Sequence, residues 1–284
     1  MKRVLFWLTF CAVFVLSANV EAIRNDPDLI IYSSFDKDEK EVTDDSGNGF
    51  DAEISGAEWS KEGKLGGAME FDGGSAIKTQ QDIPGLTDAD LTEMTVEHWV
   101  MLSAITGDTQ QVWEALNTAR AWPAETFIEG AGAMVFYIYD TKNTEHRTEI
   151  PELPTKKWVH IAGTYDGKVQ KSYFNGKVVA EEAWSGKFRI FNAPTGAIVL
   201  GKDNEADIQH LNGFIDEFAF YMRALSEDEI NADMNKGVLF AVDPADKLST
   251  TWANIKAGYY PKNVRSLSLK DTHFGKTSQL PPSS

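Results

Sequence analysis

Along this chain short hydrophobic runs, one of them alternating with the two-residue period of a half-buried strand, are separated by turn signals. Leu29-Ile30-Ile31-Tyr32-Ser33-Ser34-Phe35 is a run of β-branched and aromatic residues, and Asp44-Asp45-Ser46-Gly47-Asn48-Gly49 after it is a concentrated turn signal. A short strand lies between the glycine pairs Gly66-Gly67 and Gly73-Gly74. From Met94 to Leu102, Val96 and His98 fall on one side and Thr95, Glu97 and Trp99 on the other, and Ala133 to Tyr139 is almost wholly apolar. Trp158 to Tyr165, Val169 to Phe174 and Val178 to Ala180 are separated by Asp166-Gly167 and Asn175-Gly176, dipeptides that tolerate the positive φ angles of tight hairpins. The pattern predicts an antiparallel meander.

Leu211 to Ile230 runs a strand directly into a helix. Ser226 with Glu229 three positions on forms a capping box, and Leu225 facing Ile230 forms a hydrophobic staple. Strict alternation in the strand puts Asp216 with Phe214, Phe218 and Phe220, and Glu217 with Ile215, Ala219 and Tyr221. Neither acid then has a polar face, and a carboxylate that loses water needs a cation or hydrogen-bond donors. Strands dominate and the helices come late, so the predicted class is all-β: a two-sheet antiparallel β-sandwich, one short capped helix, and a C-terminal tail. In that tail Asp243-Pro244 can open a second helix carrying Leu248, Trp252 and Ile255 on one stripe, with mobile chain after Gly258.

The ends of the chain change where such a sandwich is expected to work. Met1 to Ala22 has a basic start, an apolar run from Val4 to Leu16 and a small-residue cleavage pattern at Val20-Glu21-Ala22, which reads as a secretory signal peptide. The run is shorter than the roughly 20 residues of a membrane span, so residues 1–22 are expected to be removed and no span to remain. The one cysteine, Cys11, lies in that segment, so export here goes without disulfides. The expected location is the cell exterior or periplasm. A formal charge of −16 disfavours nucleic acid and anionic lipid and suits cations. It also serves simply to keep an exported protein soluble. From Ala257 onward the sign reverses, with Lys262, Arg265, Lys270 and Lys276 against Asp271.

Phe35-Asp36, Asp45-Ser46-Gly47-Asn48-Gly49, Gly66-Gly67-Ala68-Met69-Glu70-Phe71-Asp72-Gly73, Thr95-Val96-Glu97-His98-Trp99-Val100, Trp158-Val159-His160-Ile161-Ala162-Gly163-Thr164-Tyr165, Tyr173-Phe174-Asn175-Gly176 and Gly213-Phe214-Ile215-Asp216-Glu217 through Ser226 occur in this order. The series resembles secreted laminin-G-like jelly-roll modules of the concanavalin-A-like superfamily, over residues 28–238, with 239–284 beyond it. The resemblance implies two curved antiparallel sheets, often a calcium ion at the rim, and often a binding role. It does not fix a ligand, since the fold hosts lectins, glycosidases and adhesive modules. In one place the resemblance weakens: Gln170, Lys171 and Ser172 stand where the family alternates apolar residues, so that strand is expected to be exposed or at an edge.

Under that resemblance Asp36 and Asp216 fit the ligand-like positions best for calcium, which takes six to eight oxygens. Asp45 and Asn48 are further candidates, although their turn can equally bond its own backbone. Catalysis finds little support. Asp216 and Glu217 are adjacent and by alternation point to opposite faces, whereas a retaining glycosidase needs carboxyls about 5 Å apart in one cleft. His98 and His160 read as structural histidines beside tryptophans, and no nucleophile elbow is present. For a ligand platform the candidates are Trp113, Asn117, Arg120 and Trp122 in the stretch from Thr106 to Phe127, read as a long loop, together with Trp184. Each tryptophan can equally cover an edge of the sandwich. Two functions follow: a calcium-stabilised carbohydrate-binding module, or an adhesive module binding other proteins.

Overall fold

The computed structural model describes residues 26–83, 92–117, 124–188, 196–203 and 208–239. The chain divides into Met1–Val242 and Asp243–Ser284. The second unit, the expected second helix, the basic tail and the expected signal peptide lie outside the described residues.

Sixteen strands and one helix are described: β1 (Leu29–Ser33), β2 (Glu41–Val42), β3 (Ala52–Ser55), β4 (Glu58–Ser60), β5 (Ala68–Asp72), β6 (Ala76–Thr79), β7 (Met94–Leu102), β8 (Gln110–Asn117), β9 (Ala124–Ile128), β10 (Met134–Tyr139), β11 (Glu145–Ile150), β12 (Val159–Tyr165), β13 (Val169–Phe174), β14 (Lys177–Ala183), β15 (Gly196–Leu200), β16 (Asn212–Tyr221) and α1 (Glu227–Lys236). One sheet has the order β14-β13-β12-β7-β16-β5-β4, with β1 also paired to β16; the other runs β11-β10-β9-β8-β15-β6-β3-β2. The predicted class, an antiparallel two-sheet sandwich, is the observed one. The Asn175-Gly176 turn has φ of 48° and 76° at its two central residues, which right-handed strand twist requires of a two-residue hairpin.

Two apolar clusters hold the sandwich. The main one lies between the sheets and includes Met69, Val100, Trp113, Phe136, Ile161, Ile215, Phe218 and Phe220. The second lies on the outer face of the first sheet, where Leu29, Tyr32, Ala219 and Tyr221 meet Leu225, Ile230 and Val238. α1 is fixed there by the predicted capping box, Ser226 accepting from Glu229 N–H, and by Tyr221 donating to Asp233 at 2.9 Å. Arg223 clamps its start to Asp26 and Glu229.

Two expectations change. Thr106 to Phe127 is not one long loop, because β8 and β9 are paired strands within it. Gln170 and Ser172 are fully buried rather than exposed, and β13 lies one strand in from the edge. Gln170 reaches the opposite sheet, its amide donating to Phe136 O and Thr148 Oγ1 and accepting from Trp184 Nε1. A polar residue sits in the core because every end of it is bonded.

His98 sits in this interior at 1% exposure, near Phe218, with neither ring nitrogen hydrogen-bonded. Burial pushes its pKa down from 6.5 to about 3. Above 6.5 both folded and unfolded chains hold it neutral. As the pH falls below that, only the unfolded chain takes up the proton, so stability should decline by about 1.4 kcal/mol per pH unit from this group. Urea unfolding at pH 7, 6 and 5 should show that His98→Leu lessens the acid sensitivity; an unchanged pH dependence would contradict the burial argument.

Candidate functional site

β16 is the longest strand of its sheet and changes partner midway: Asn212 to Ile215 pair with β5, Phe218 to Tyr221 with β1. Between them the ladder to β5 has stopped at Met69 and that to β1 at Ser33, so the sheet has a gap beside Asp216 and Glu217. On the other side, Asp216 faces Trp99 and Ala219 faces Glu97, which leaves Glu217 and Phe218 opposite the single residue His98. This is a β-bulge. Glu217 takes a left-handed φ of 55°, a conformation usually left to glycine and costing a non-glycine residue on the order of 1 kcal/mol. The extra residue reverses the expected alternation: Phe218 and Phe220 join Ile215 in the core between the sheets. Glu217 is carried outward instead, where Tyr32 Oη donates to its Oε2 at 2.6 Å.

The gap is closed by two loops. Asp216 Oδ2 accepts from Lys64 N and Leu65 N at 2.7 and 2.9 Å, and Asp36 Oδ1 accepts from Gly67 N at 3.1 Å. Asp36, in the loop after β1, and Asp216, in β16, thus hold opposite ends of one turn. Gly66 has φ +92°, and a Cβ there would fall 1.8 Å from Asp36 Oδ1, so only glycine fits beside that carboxylate. Phe35, immediately before Asp36, is also left-handed at φ 55°. Such strain persists where surrounding structure over-determines it, commonly at functional sites.

The electrostatics of the gap are unfavourable for bare carboxylates. Burial pushes Asp216 up to about 7, against the pull of the Leu65, Lys64 and Glu217 N–H groups and with Asp36 adding repulsion. Burial likewise raises Glu217 to about 8, the Tyr32 hydroxyl opposing and Asp216, Asp36 and Asp45 reinforcing. Burial, then Glu217, drives Tyr32 far above the ordinary tyrosine value. Asp216 Oδ1 is buried with no hydrogen-bond partner. Lys64, the nearest cation in sequence to the turn, lays its Nζ over the Trp99 ring at 4.6 Å. Among the described residues no three His, Cys, Asp or Glu side chains converge into a finished metal cage. Any cation here must therefore draw on backbone carbonyls or water as well, which calcium accepts.

The other sequence candidates divide. Asp45 lies close enough to act on Glu217 but is bonded to Ser34 N and Oγ through Oδ2 and pairs with Lys37 at 3.8 Å. Asn48 is a structural clip, its amide donating to Leu29 O and Ile30 O at the far end of β1 from Asp36. The buried acid organising that turn is Asp44, which accepts from Tyr32, Ser46 and Phe50 N–H. Trp113 is a correction: it is 0% exposed, packed near Phe218 and Phe220, with Nε1 donating to Thr126. Trp184 is another, its ring filled on both faces by His146 and Tyr165 at 3.9 Å each. Neither can offer a free face to a sugar. Asn117 ends β8, and its side chain, like Arg120 and Trp122, lies outside the described residues. Glu217 was missed as a member of the site because the bulge is invisible to a strict two-residue period.

Residues 71–231 match the Laminin_G_3 family model, described as the concanavalin A-like lectin/glucanases superfamily. The chain belongs to this family. Among curated proteins, pappalysin-1 of Mus musculus is 32% identical over 118 residues, 41% of this chain and 7% of that protein, and pappalysin-1 of Homo sapiens is 30% identical over the same shares. The chain thus spans a small fraction of these curated relatives. Among solved structures, domain 4 of AbnA, a GH43 extracellular arabinanase from Geobacillus stearothermophilus in complex with arabinotriose, shares the fold with TM-score 0.55 and 21% identity, over 73% of this chain and 98% of that one. The receptor-binding domain of botulinum neurotoxin C/D mosaic serotype matches with TM-score 0.57 and 17% identity, over 75% and 52%.

The Tyr32–Glu217 bond predicts that Tyr32→Phe costs roughly 1–3 kcal/mol, because it strips a buried carboxyl of its donor. A Glu217→Gln partner variant should make the double change less than additive in urea unfolding; full additivity would show that the two side chains do not interact.

Proposed function

We propose that the chain is an exported, non-catalytic binding module, stabilised by calcium in the gap beside β16 and directed at an extracellular glycan. The observation that carries the calcium reading is Asp216: a buried carboxylate with one oxygen on two N–H donors and the other unpartnered. Its neighbours Asp36 and Glu217 bring further negative charge, and a divalent cation turns that repulsion into attraction. Asp216 would hold the ion through its free oxygen, with Asp36 or Glu217 beside it and backbone carbonyls or water completing the shell.

The glycan reading is supported by family membership and by a fold shared with an arabinanase domain solved with arabinotriose. Export is supported by the sequence of Met1 to Ala22, and no helix among the described residues is long and apolar enough to cross a membrane. One observation favours a protein ligand instead: Phe127, Tyr137 and Tyr139 form a row of rings 5.1 and 6.2 Å apart on the outer face of the second sheet. Arg147 bridges Tyr137 and Glu129 beside them.

Thermal unfolding of the intact chain in chelator and in millimolar calcium tests the ion. At a hundredfold excess over Kd a native-state ligand adds about 2.7 kcal/mol, or roughly 5–10 °C for a domain of this size. Asp216→Asn should abolish that gain. Equal midpoints with and without calcium in the wild-type chain would reject the ion.

A further inference from the structure

A second concavity lies away from the carboxylate gap, between the β7–β8 connection and the segment leading into β16. It is a cleft of about 560 Å3 lined by Gly73, Thr106, Asp108, Thr109, Ile208, Gln209, His210 and Asn212, a volume within the range of small-ligand sites. Its walls are fixed through the backbone. Gln111 N donates to Gln209 O at 2.6 Å, Ser103 N to Asn212 O at 3.0 Å, Gly73 N to Leu211 O at 3.0 Å, and Asp108 N to Thr106 Oγ1 at 3.3 Å. Asn212 N in turn donates to the buried Gln110 side chain at 2.8 Å. Gln209 is held at a left-handed φ of 57° to make this path.

Against that fixed frame, the side chains of Asp108, Thr109, Gln209 and Asn212 carry hydrogen-bonding groups that the described fold does not use. One of the three large apolar side chains exposed among the described residues, Ile208 (48%), also stands in the lining. An apolar lip over amides, hydroxyls and a carboxylate is chemistry suited to a sugar, whose C–H face packs while its hydroxyls bond. The described lining contains no Lys or Arg, and Asp108 repels anions, so acidic sugars are disfavoured and a neutral one suits the amides and hydroxyls.

We infer that this cleft is the glycan subsite: a neutral mono- or disaccharide unit sits on Ile208 and is bonded by Asp108, Thr109, Gln209 and Asn212. This inference rests on the glycan-binding reading above and assigns it a place.

The test is an array of neutral and acidic oligosaccharides probed with the intact chain, followed by calorimetric titration of the strongest hit. Asp108→Ala/Asn212→Ala and the cleft-filling Thr109→Phe are compared with Phe127→Ala on the outer face of the second sheet. Variants are taken forward only if they keep the wild-type unfolding midpoint; Asp108 and Thr109 lie in an exposed connection and Asn212 opens its strand. The expected result is a neutral hit weakened tenfold or more by both cleft variants and unchanged by Phe127→Ala, roughly 1.4 kcal/mol or more. A neutral hit indifferent to the cleft variants overturns the subsite but leaves glycan binding standing. Hits confined to acidic sugars overturn the neutral class, and no hit at all overturns the glycan reading itself.

Discussion

The structure depends on how one strand tolerates two adjacent carboxylates. β16 lies beside β7, β5 and β1 and supplies Ile215, Phe218 and Phe220 to the core between the sheets. A regular strand with this sequence would have to turn Glu217 into that core, where an unpaired ionised group costs several kcal/mol. The bulge removes the conflict: one residue in a strained left-handed conformation leaves the aromatic residues inside and sends the carboxylate out. The same irregularity coincides with the handover from β5 to β1, so the gap and the charges that fill it have one origin.

What surrounds the gap is consistent with that origin. The Gly63 to Gly67 turn offers backbone N–H groups to Asp36 and Asp216, and Gly66 leaves room for a carboxylate where any side chain would collide. These donors lower the cost of the charges without cancelling it, since burial still holds Asp216 and Glu217 well above the ordinary carboxylate range. The turn also ties the loop after β1 to the loop before β5. An ion bound there would brace two connections that the sheet's own ladder does not join.

Much of the fold is legible in the sequence because its signals are local. Asn175-Gly176 specifies a hairpin through its own φ angles, and Ser226 with Glu229 caps a helix through contacts three residues apart. An apolar run marks β10, the Asp-Gly and Asn-Gly dipeptides bound β12 and β13, and alternation marks β7. Alternation failed where tertiary structure overrides the period. At Asp216–Glu217 an inserted residue changes which face each side chain takes. At Gln170 a polar side chain is buried because partners from another sheet, Phe136 and Thr148, complete its hydrogen bonds. Trp113 and Trp184 looked like platform candidates because their flanking sequence is irregular, yet burial depends on Phe218, His146 and Tyr165, all distant in the chain. Asn48 had the right chemistry for a cation and the wrong end of β1. The Thr106–Asp108 and Ile208–Asn212 segments carry no motif; they become a cleft only when β8 and β16 are brought together.

The proposed calcium site is the carboxylate gap beside the β16 bulge. A crystal structure of the intact chain grown with calcium, with anomalous scattering used to identify the ion, addresses it directly. The account predicts a peak at calcium–oxygen distance, roughly 2.3–2.6 Å, from Asp216 Oδ1, with Asp36 or Glu217 and backbone or water oxygens completing the shell. A gap containing only water, with the bulge intact and calcium in the crystal, would contradict it.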